Sequence, residues 1–483
     1  MHDRRVRKNV RPAASVPPTL PPWWLEEALE WESDAPDAPA LEGELEADVA
    51  IVGGGYTGLW TALALKERDP AIRVALVEAE ICGWGPSGRN GGFVNGYWNA
   101  LRWTRETLGA EGALDLARAG GQIVPAVRAF SERRGEDVWL QEGGYLKVST
   151  APAQDAAVDG AVETARELGV EEQAIPLSAE EVAERCRSPR FRHGVFFPDG
   201  ATVQPARLTR ALRRACIADG VSLHERTRVL RLDAGSPNVL ITPGGRIRTE
   251  EVVVAVNAAA AGWGPTRRRL TNFGSYVVLT EPRPDLVEEI GWTGGEAITD
   301  GRMFVHYFRT TPDGRVLMGS GSGPIGFGGR LDGRFSHDLP TAARAEAGLR
   351  TLLPGLDEAR VERAWGGPID VSADRLPFFG TVPDSRVHYG AGYSGHGAGP
   401  SWLGGQILAS LALRADDEWT ALPLVTRKVP RLVPEPIKGL GGAVVRAATL
   451  AVEDAAADGR EAALPVRAVA ALPRLVGMRI GQR

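Results

Sequence analysis

Cysteine and methionine are scarce in this chain, which has three cysteines and four methionines among 483 residues. The cysteines, Cys82, Cys186 and Cys216, are odd in number and far apart in the sequence. They therefore predict neither a disulfide framework nor the ligand spacing of a metal site. We expect a reducing, cytoplasmic environment and no bound metal.

Long apolar runs and a strong charge of one sign are also missing. No apolar stretch approaches the roughly 20 residues needed to cross a bilayer, and the N-terminal region, with Arg4 and Arg5, lacks the apolar segment of a signal peptide. The formal net charge is only -5. We therefore expect no transmembrane segment and no nucleic-acid partner.

Glycine, in contrast, is abundant, and its arrangement between residues 48 and 78 predicts a βαβ unit that binds a dinucleotide. Gly53 allows a sharp turn out of the first strand, Gly55 allows the backbone to approach a pyrophosphate, and Gly58 allows the helix to pack closely on the sheet. The helix N-terminus then faces the phosphates. Glu78, after the second strand, can accept the ribose hydroxyls. Its charge disfavours a 2′-phosphate and predicts FAD or NAD, not NADP.

Two further glycine-rich segments, residues 83–92 and 389–397, lie far apart in the chain. The first contains Arg89 and Asn90 among small residues, which is typical of a loop that approaches phosphate and a flat ring closely. The second precedes an apolar helix predicted from about residue 401 to 413. Its helix N-terminus can place main-chain N–H groups at an electron-rich part of a cofactor.

The remaining pattern predicts two domains that share interrupted segments of the chain. Residues 270–320 alternate in period two, with a hairpin turn at 312–314, which indicates an antiparallel sheet, whereas the apolar strand at 249–256 returns to the nucleotide domain. We therefore expect an N-terminal arm (1–46), a nucleotide domain in three segments (47–135, 191–268 and 361–422), a second domain in two segments (136–190 and 269–360) and a C-terminal helical tail (423–483).

The ends of the chain have patterns of their own. Residues 23–29 predict a short helix that docks as a buried anchor. The tail is basic, alanine-rich and interrupted by proline, and either helices packed on the body or an interaction tail would account for it.

Taken together, the three glycine-rich segments resemble those of the FAD-dependent D-amino-acid oxidase/glycine oxidase superfamily, over about residues 47–420. Within it they are most similar to the gamma-glutamylputrescine oxidoreductase-like branch. The resemblance implies an α/β protein, α+β overall, with a Rossmann-like discontinuous FAD-binding domain and a second, mixed-sheet substrate domain that covers the flavin.

The motifs and the resemblance together predict which residues bind the cofactor. His396 and Gly397 would lie at the pyrimidine end of the flavin, and Val229 would make main-chain contacts beside the adenine. The full expected set is Gly53, Gly54, Gly55, Tyr56, Thr57, Gly58, Glu78, Ala79, Ser87, Gly88, Arg89, Asn90, Gly91, Gly92, Val229, Asn257, Gly395, His396 and Gly397.

The sequence departs from the sarcosine-oxidase relatives in three places. Residues 365–370 contain no cysteine, so we expect noncovalent FAD. Gly399 stands where those relatives carry a substrate-binding lysine, and residues 315–319 lack the lysine used for oxygen activation. Sarcosine is therefore a poor substrate candidate, and the electron acceptor is either O2 or another molecule.

Three residues are candidates for catalysis: His396, Tyr307 and Arg309. His396 would stabilise negative charge on the reduced flavin; the alternative is a histidine satisfied within a turn. Tyr307 and Arg309 share one face of a predicted strand, opposite His306. Arg309 would either hold a substrate carboxylate or form a structural ion pair.

The predicted function is oxidation of the C–N bond of an amine or amino-acid derivative, with hydride transfer to flavin N5 and hydrolysis of the resulting imine. A gamma-glutamylputrescine-like or D-amino-acid-like substrate is expected. Two alternatives stay open: an NAD-dependent dehydrogenase, and a flavin-binding module without catalysis.

Overall fold

The computed structural model describes residue 16, residues 19–32 and residues 35–475. Arg4, Arg5 and the last eight residues of the predicted tail lie outside the described residues. The helices are α1 (Trp23–Trp31), α2 (Tyr56–Arg68), α3 (Leu101–Gly120), α4 (Ile123–Arg134), α5 (Pro152–Glu167), α6 (Ala179–Arg185), α7 (Pro205–Ala218), α8 (Pro284–Glu289), α9 (Leu339–Leu352), α10 (Pro400–Leu413), α11 (Glu418–Ala421), α12 (Pro423–Thr426), α13 (Ile437–Ala457) and α14 (Leu464–Leu475). The strands are β1 (Gly43–Val52), β2 (Val74–Val77), β3 (Phe93–Asn95), β4 (Tyr145–Val148), β5 (Ile175–Leu177), β6 (Gly194–Phe197), β7 (Gly200–Thr202), β8 (Ser222–His224), β9 (Arg231–Asp233), β10 (Asn238–Ile241), β11 (Gly245–Val254), β12 (Leu270–Thr280), β13 (Ala297–Asp300), β14 (His306–Thr310), β15 (Val316–Ser320), β16 (Val361–Ser372), β17 (Phe378–Thr381) and β18 (Val387–Ala391).

The first sheet contains the predicted dinucleotide unit. Its strand order is β17-β18-β11-β1-β2-β8, and β1 runs parallel to both β2 and β11. β1, α2 and β2 follow one another as the sequence predicted, with Val49 beside Val74 in the register. Every residue of α2 from Tyr56 to Leu65 is buried. The turns at the carboxyl ends of β1, β2 and β11 therefore meet at one edge of the sheet, where parallel sheets bind their ligands.

The second sheet, in the order β16-β12-β15-β14-β13-β4-β6-β5, forms the other domain. Two of its strands, β6 and β16, fall in segments that the sequence assigned to the nucleotide domain. β6 pairs antiparallel with β4, and β16 pairs antiparallel with almost the whole of β12. The segment boundaries at 191 and 361 therefore cut through the second domain, because strand alternation alone does not tell which sheet a strand joins.

Other element boundaries differ from the sequence prediction for local reasons. Residues 105–134 have a helical pattern in the sequence, and the structure divides them between two helices, α3 and α4, separated at Gly121 and Gln122. Residues 227–232 have the pattern of a strand, but only β9 forms there, so Val229 lies in the preceding loop. Residues 303–305, expected in a strand, form the loop before β14. The predicted hairpin between β14 and β15 is confirmed, with Gly314 at a φ of +81°.

Within the described residues, the N-terminal helix and the tail helices pack on the body, which for the tail is the first of the two alternatives that the sequence left open. α1 buries Trp24 and Leu25 completely. In the tail, α13 and α14 form a helical hairpin that is fixed to the second domain. Arg344 of α9 bonds Asp454 of α13 at 2.7 Å. Among the helices of the described residues, none is both long and apolar enough to cross a membrane.

Candidate functional site

One cavity of about 1330 Å3 runs along the edge of the first sheet and beneath the second. Pockets for a single small molecule usually measure about 300–1000 Å3, so this cavity has room for a dinucleotide and a second molecule. All three glycine-rich segments line it. The predicted site residues on its wall are Gly53, Gly54, Gly55, Tyr56, Thr57, Glu78, Ala79, Ser87, Arg89, Asn90, Gly91, Val229, Asn257, Tyr307, Gly395, His396 and Gly397.

Three predicted glycines, Gly58, Gly88 and Gly92, lie behind the wall of the cavity and not on it. A Cβ at Gly58 would lie 2.0 Å from the main-chain oxygen of Gly53, and a Cβ at Gly88 would lie 2.0 Å from that of Gly83. These glycines therefore close the turns whose other residues face the cavity. Gly58 therefore has the close-packing role expected of it, and Gly88 and Gly92, which were expected beside the cofactor, also allow close backbone packing and do not line the cavity.

The first turn leaves an open cradle at the N-terminus of α2. Gly53 adopts a φ of +113°, and a Cβ at Gly54 would lie 2.6 Å from Cys82 Sγ. The N-cap residue, Gly55, has no side chain of its own; Ser87 Oγ accepts the first helical N–H, and Gly55, Tyr56 and Thr57 line the cavity. This arrangement suits a pyrophosphate, because main chain without side chains faces the cavity and the helix end is positive.

Glu78 occupies the position expected of the ribose-binding acid. Its Oε2 accepts the Gly54 N–H at 2.7 Å and its Oε1 accepts the Glu80 N–H at 3.0 Å. Burial raises the pKa of Glu78, and the two main-chain N–H groups act in the opposite direction. Each carboxylate oxygen can accept a further hydrogen bond, so ligand hydroxyls could still bind.

The second glycine-rich segment is held in shape by its own polar side chains. Asn90 Oδ1 accepts the Gly92 N–H at 2.7 Å, and Ser87 Oγ accepts the Tyr56 N–H at 2.9 Å. Arg89 donates to the main-chain oxygens of Trp84 and Gly366, at 2.7 and 3.3 Å. Burial lowers the pKa of Arg89 to about 10. Arg89 therefore links this segment to β16 of the second sheet.

The third glycine-rich segment is fixed by Asp370, which the sequence analysis did not select. This carboxyl group is fully buried at the end of β16, accepts the Gly392 N–H and, at 3.0 Å, accepts from Asn257 Nδ2. Its main-chain oxygen also accepts the Ser394 N–H at 2.8 Å. Burial raises the pKa of Asp370 to about 7. Only an acid following a Gly-Gly-Pro-Ile run marked this position in the sequence.

His396 lies in the turn between β18 and α10. Its main-chain N–H donates to Tyr393 O at 2.9 Å, and its half-buried ring lies 6.5 Å from that of Trp103. α10 begins at Pro400, and Pro400 and Ser401 line the same cavity as His396. The positive end of this helix therefore faces the cavity beside the histidine, which favours negative charge on a bound ring.

Tyr307 reaches the cavity from the second sheet, whereas Arg309 does not. The Tyr307 hydroxyl lies 2.8 Å from Ser275 Oγ, and a Cβ at Gly91 would lie 3.0 Å from the Tyr307 ring. Arg309 is fully buried behind Gly92 and donates to the main-chain oxygens of Val203 and Thr310. Burial lowers the pKa of Arg309 to about 9.

The geometry supports neither alternative raised for Arg309: it does not line the cavity where a substrate carboxylate would bind, and among the described residues it bonds main-chain oxygens and not a carboxylate. The sequence also gave no indication that the tail would reach the site. Side chains of α13 line one end of the cavity, among them Lys438, Val445 and Arg446. No motif marks these residues, because their position depends on how the hairpin docks.

A parallel sheet with a glycine-rich dinucleotide turn, joined to a second sheet across a shared cavity, defines a two-domain dinucleotide-dependent oxidoreductase. A family model described as FAD dependent oxidoreductase, DAO, matches residues 48–411. The chain therefore belongs to this family, and the predictions of an FAD-dependent oxidoreductase with a Rossmann-like domain and a second mixed-sheet domain are confirmed.

Curated relatives and solved structures agree with this assignment. The chain is 29% identical over 401 residues to the probable oxidoreductase OrdL of Rhizobium meliloti, covering 82% of this chain and 89% of that one. It is 28% identical over 384 residues to the gamma-glutamylputrescine oxidoreductase of Escherichia coli, covering 78% and 86%. The glycine oxidase structure from Geobacillus kaustophilus shares the fold, with a TM-score of 0.65 at 24% identity over 80% of this chain and 100% of that one.

The cavity fits FAD on its own geometry. The cradle at Gly53–Gly55 admits a pyrophosphate, Glu78 can accept further hydroxyls, and the first turn of α10 faces the far part of the cavity. All three cysteines lie within the described residues, are buried, and do not line the cavity. No thiol is therefore placed to hold the cofactor covalently.

Proposed function

We propose that the protein oxidises the C–N bond of an amine or amino-acid derivative with noncovalently bound FAD. The observation that carries the proposal is the meeting of three glycine-rich segments, far apart in sequence, in one cavity that the second sheet covers. A site built only for NAD would leave the second and third segments without a ligand.

The residues that line the cavity would have distinct roles in binding the cofactor and in stabilising charge on it. Gly53 to Thr57 and Glu78 hold the dinucleotide, and the segment from Ser87 to Gly91 follows it into the cavity. His396 and the first turn of α10 stabilise negative charge at the ring. Bound FAD supplies the acceptor for the hydrogen and two electrons that leave the amine carbon.

The second sheet supplies the substrate side of the site. Tyr307, with its hydroxyl against Ser275, forms part of the wall and orients the amine-bearing carbon. Relatives named gamma-glutamylputrescine oxidoreductase and glycine oxidase suggest two substrate classes to test, polyamine derivatives and amino acids. Either O2 or another molecule accepts the electrons.

The proposal is tested by mixing the yellow protein anaerobically with a panel of amines, polyamine derivatives and D- and L-amino acids. Loss of the flavin's visible absorbance with a member of the panel is expected, followed by its return when air is admitted if O2 is the acceptor. A protein that binds FAD but is reduced by none of these compounds would be the catalytically silent module. Acid precipitation should release the flavin and leave a colourless pellet.

A further inference from the structure

The C-terminal helix α13 forms part of the cavity wall, although it lies entirely beyond residues 48–411, where the family match ends. Lys438, Gly442 and Val445 follow one another at spacings of four and three residues, and Arg446 lies next to Val445, which places all four toward one side of the helix. All four line the cavity. α13 therefore presents one continuous face to the site.

Specific contacts fix α13 in this position. Glu453 accepts the main-chain N–H groups of Met303 and Phe304, at 2.5 and 3.1 Å, and both of these residues line the cavity. Arg446 donates to Ser322 O at 2.8 Å. A Cβ at Gly439 would lie 2.5 Å from the Phe327 ring, so a residue with a side chain at position 439 would not allow α13 to pack this closely against Phe327.

The mouth of the cavity at this end is apolar. Six large apolar side chains line the cavity while remaining more than a third exposed: Leu331, Val433, Ile437, Leu440, Val444 and Leu472. Four of them belong to the α13–α14 hairpin. Exposed apolar side chains clustered in this way mark a binding surface more often than a chance arrangement does.

The charged groups at this end already have partners within the protein. Lys438 donates to Leu270 O at 3.2 Å and lies 3.5 Å from Glu435, and Asp332 pairs with Arg334 at 2.7 Å. The surface that remains for a substrate is therefore mainly hydrocarbon.

We propose that α13 is the wall of the substrate site that recognises the substituent on the amine, and that this substituent is extended and apolar. The inference rests on the proposed function and names the substrate class for the same site. The reacting carbon would lie near Tyr307, and the chain would extend between α13 and the 303–305 loop toward the mouth. Small or highly polar amines would leave this wall unused.

The test compares two exposed leucines of the hairpin. Leu440 is 64% exposed and lines the cavity, whereas Leu464 is 76% exposed and does not. Anaerobic flavin reduction is measured with straight-chain primary amines and straight-chain amino acids of increasing length. In the wild-type protein, kcat/KM should rise about fourfold for each added methylene until the wall is covered. Leu440→Ser should reduce this dependence, and Leu464→Ser should leave it unchanged.

A second variant adds a bulky side chain to the wall instead of removing an apolar one. A Cβ at Gly441 would meet only Ile437, at 3.9 Å, so the helix has open space at this position where a side chain would begin. Gly441→Phe should lower kcat/KM for the longest substrates by about tenfold or more and spare the shortest. Ala447→Phe, on an exposed position of the same helix that does not line the cavity, is the control.

The outcomes separate the two proposals. If no amine reduces the flavin of the wild-type protein, the proposed function fails. If amines reduce it but the rate is independent of chain length, or Gly441→Phe slows all substrates equally while retaining its flavin, the function stands and the role of α13 is refuted.

Discussion

Replacing Asp370 by alanine should loosen the third glycine-rich segment and with it the hold on the cofactor. The carboxyl group accepts hydrogen bonds from Gly392 N–H and Asn257 Nδ2, and all of these groups lie at the cavity wall or directly behind it. Without Asp370, two donors remain without their acceptor. Each buried, unsatisfied donor costs about 1–3 kcal/mol, so the loss is about 2–6 kcal/mol.

Part of this loss should appear in cofactor binding. Because about 1.4 kcal/mol corresponds to a tenfold change in an equilibrium constant, we expect the Kd for FAD to rise at least about tenfold in Asp370→Ala. Fluorescence titration of the flavin-free protein measures the Kd, and thermal unfolding measures stability. Asp370→Asn, which keeps one acceptor oxygen, should lie between the wild-type protein and the alanine variant.

Glu251 provides the matched control. It is also a buried carboxylate, bonded to His388 at 3.0 Å and to Arg414 at 2.7 Å, but it does not line the cavity. Glu251→Ala should lower stability and leave the Kd for FAD unchanged. An unchanged Kd in Asp370→Ala, or an equal rise in both variants, would refute the argument that Asp370 fixes the cofactor site.

Four further predictions follow from the same contacts. Because burial raises the pKa of Asp370 to about 7, the folded protein keeps this proton between about pH 4 and 7, whereas the unfolded chain, in which the pKa is about 3.9, releases it. The free energy of unfolding should therefore fall as pH rises from about 4 to 7. In Asp370→Asn, which cannot titrate, chemical unfolding should show a smaller decrease of this free energy over the same range. Gly58→Val should abolish flavin retention on a desalting column, since even a Cβ there lies 2.0 Å from Gly53 O, whereas a soluble variant with full flavin content would contradict this packing. Glu453→Ala should raise KM several-fold by releasing α13, and Glu453→Gln, which keeps the acceptor oxygen, should restore it; identical kinetics in both variants would show that these hydrogen bonds do not position the wall. Arg309→Met should change substrate KM by less than about threefold, because Arg309 lies behind the wall, and a rise of a hundredfold with carboxylate substrates would restore its predicted role.

The sequence predicted the dinucleotide unit well because its determinants are local. Gly53 and Gly58 have a fixed spacing set by one turn, and the strands on either side are continuous apolar runs. β2 coincides with the apolar run at 74–77 that directly precedes Glu78, and α10 begins one residue earlier than expected. Backbone sterics within a few residues decide such features, so a single sequence contains them.

Features that depend on distant pairing were harder to predict. Strand β16 contains Gly366, Gly367 and Pro368, which do not mark a strand in the sequence, and only its pairing with β12 places Asp370 behind Gly392. Arg309 and Tyr307 share a face, but the close approach of Gly92 to Arg309 leaves only Tyr307 on the cavity wall. The contribution of α13 depends wholly on how the tail docks, which no local pattern encodes.

The proposed mechanism requires that a bound flavin and an amine react in the cavity lined by Gly54, Asn90 and His396. Its most direct test is the anaerobic rate of flavin reduction with an amine substrate and with the same amine deuterated at the carbon that carries nitrogen. We predict slower reduction with the deuterated amine, because that carbon–hydrogen bond breaks as the flavin is reduced. Equal rates under conditions where reduction itself is rate-limiting, or a flavin that no amine reduces, would contradict this mechanism.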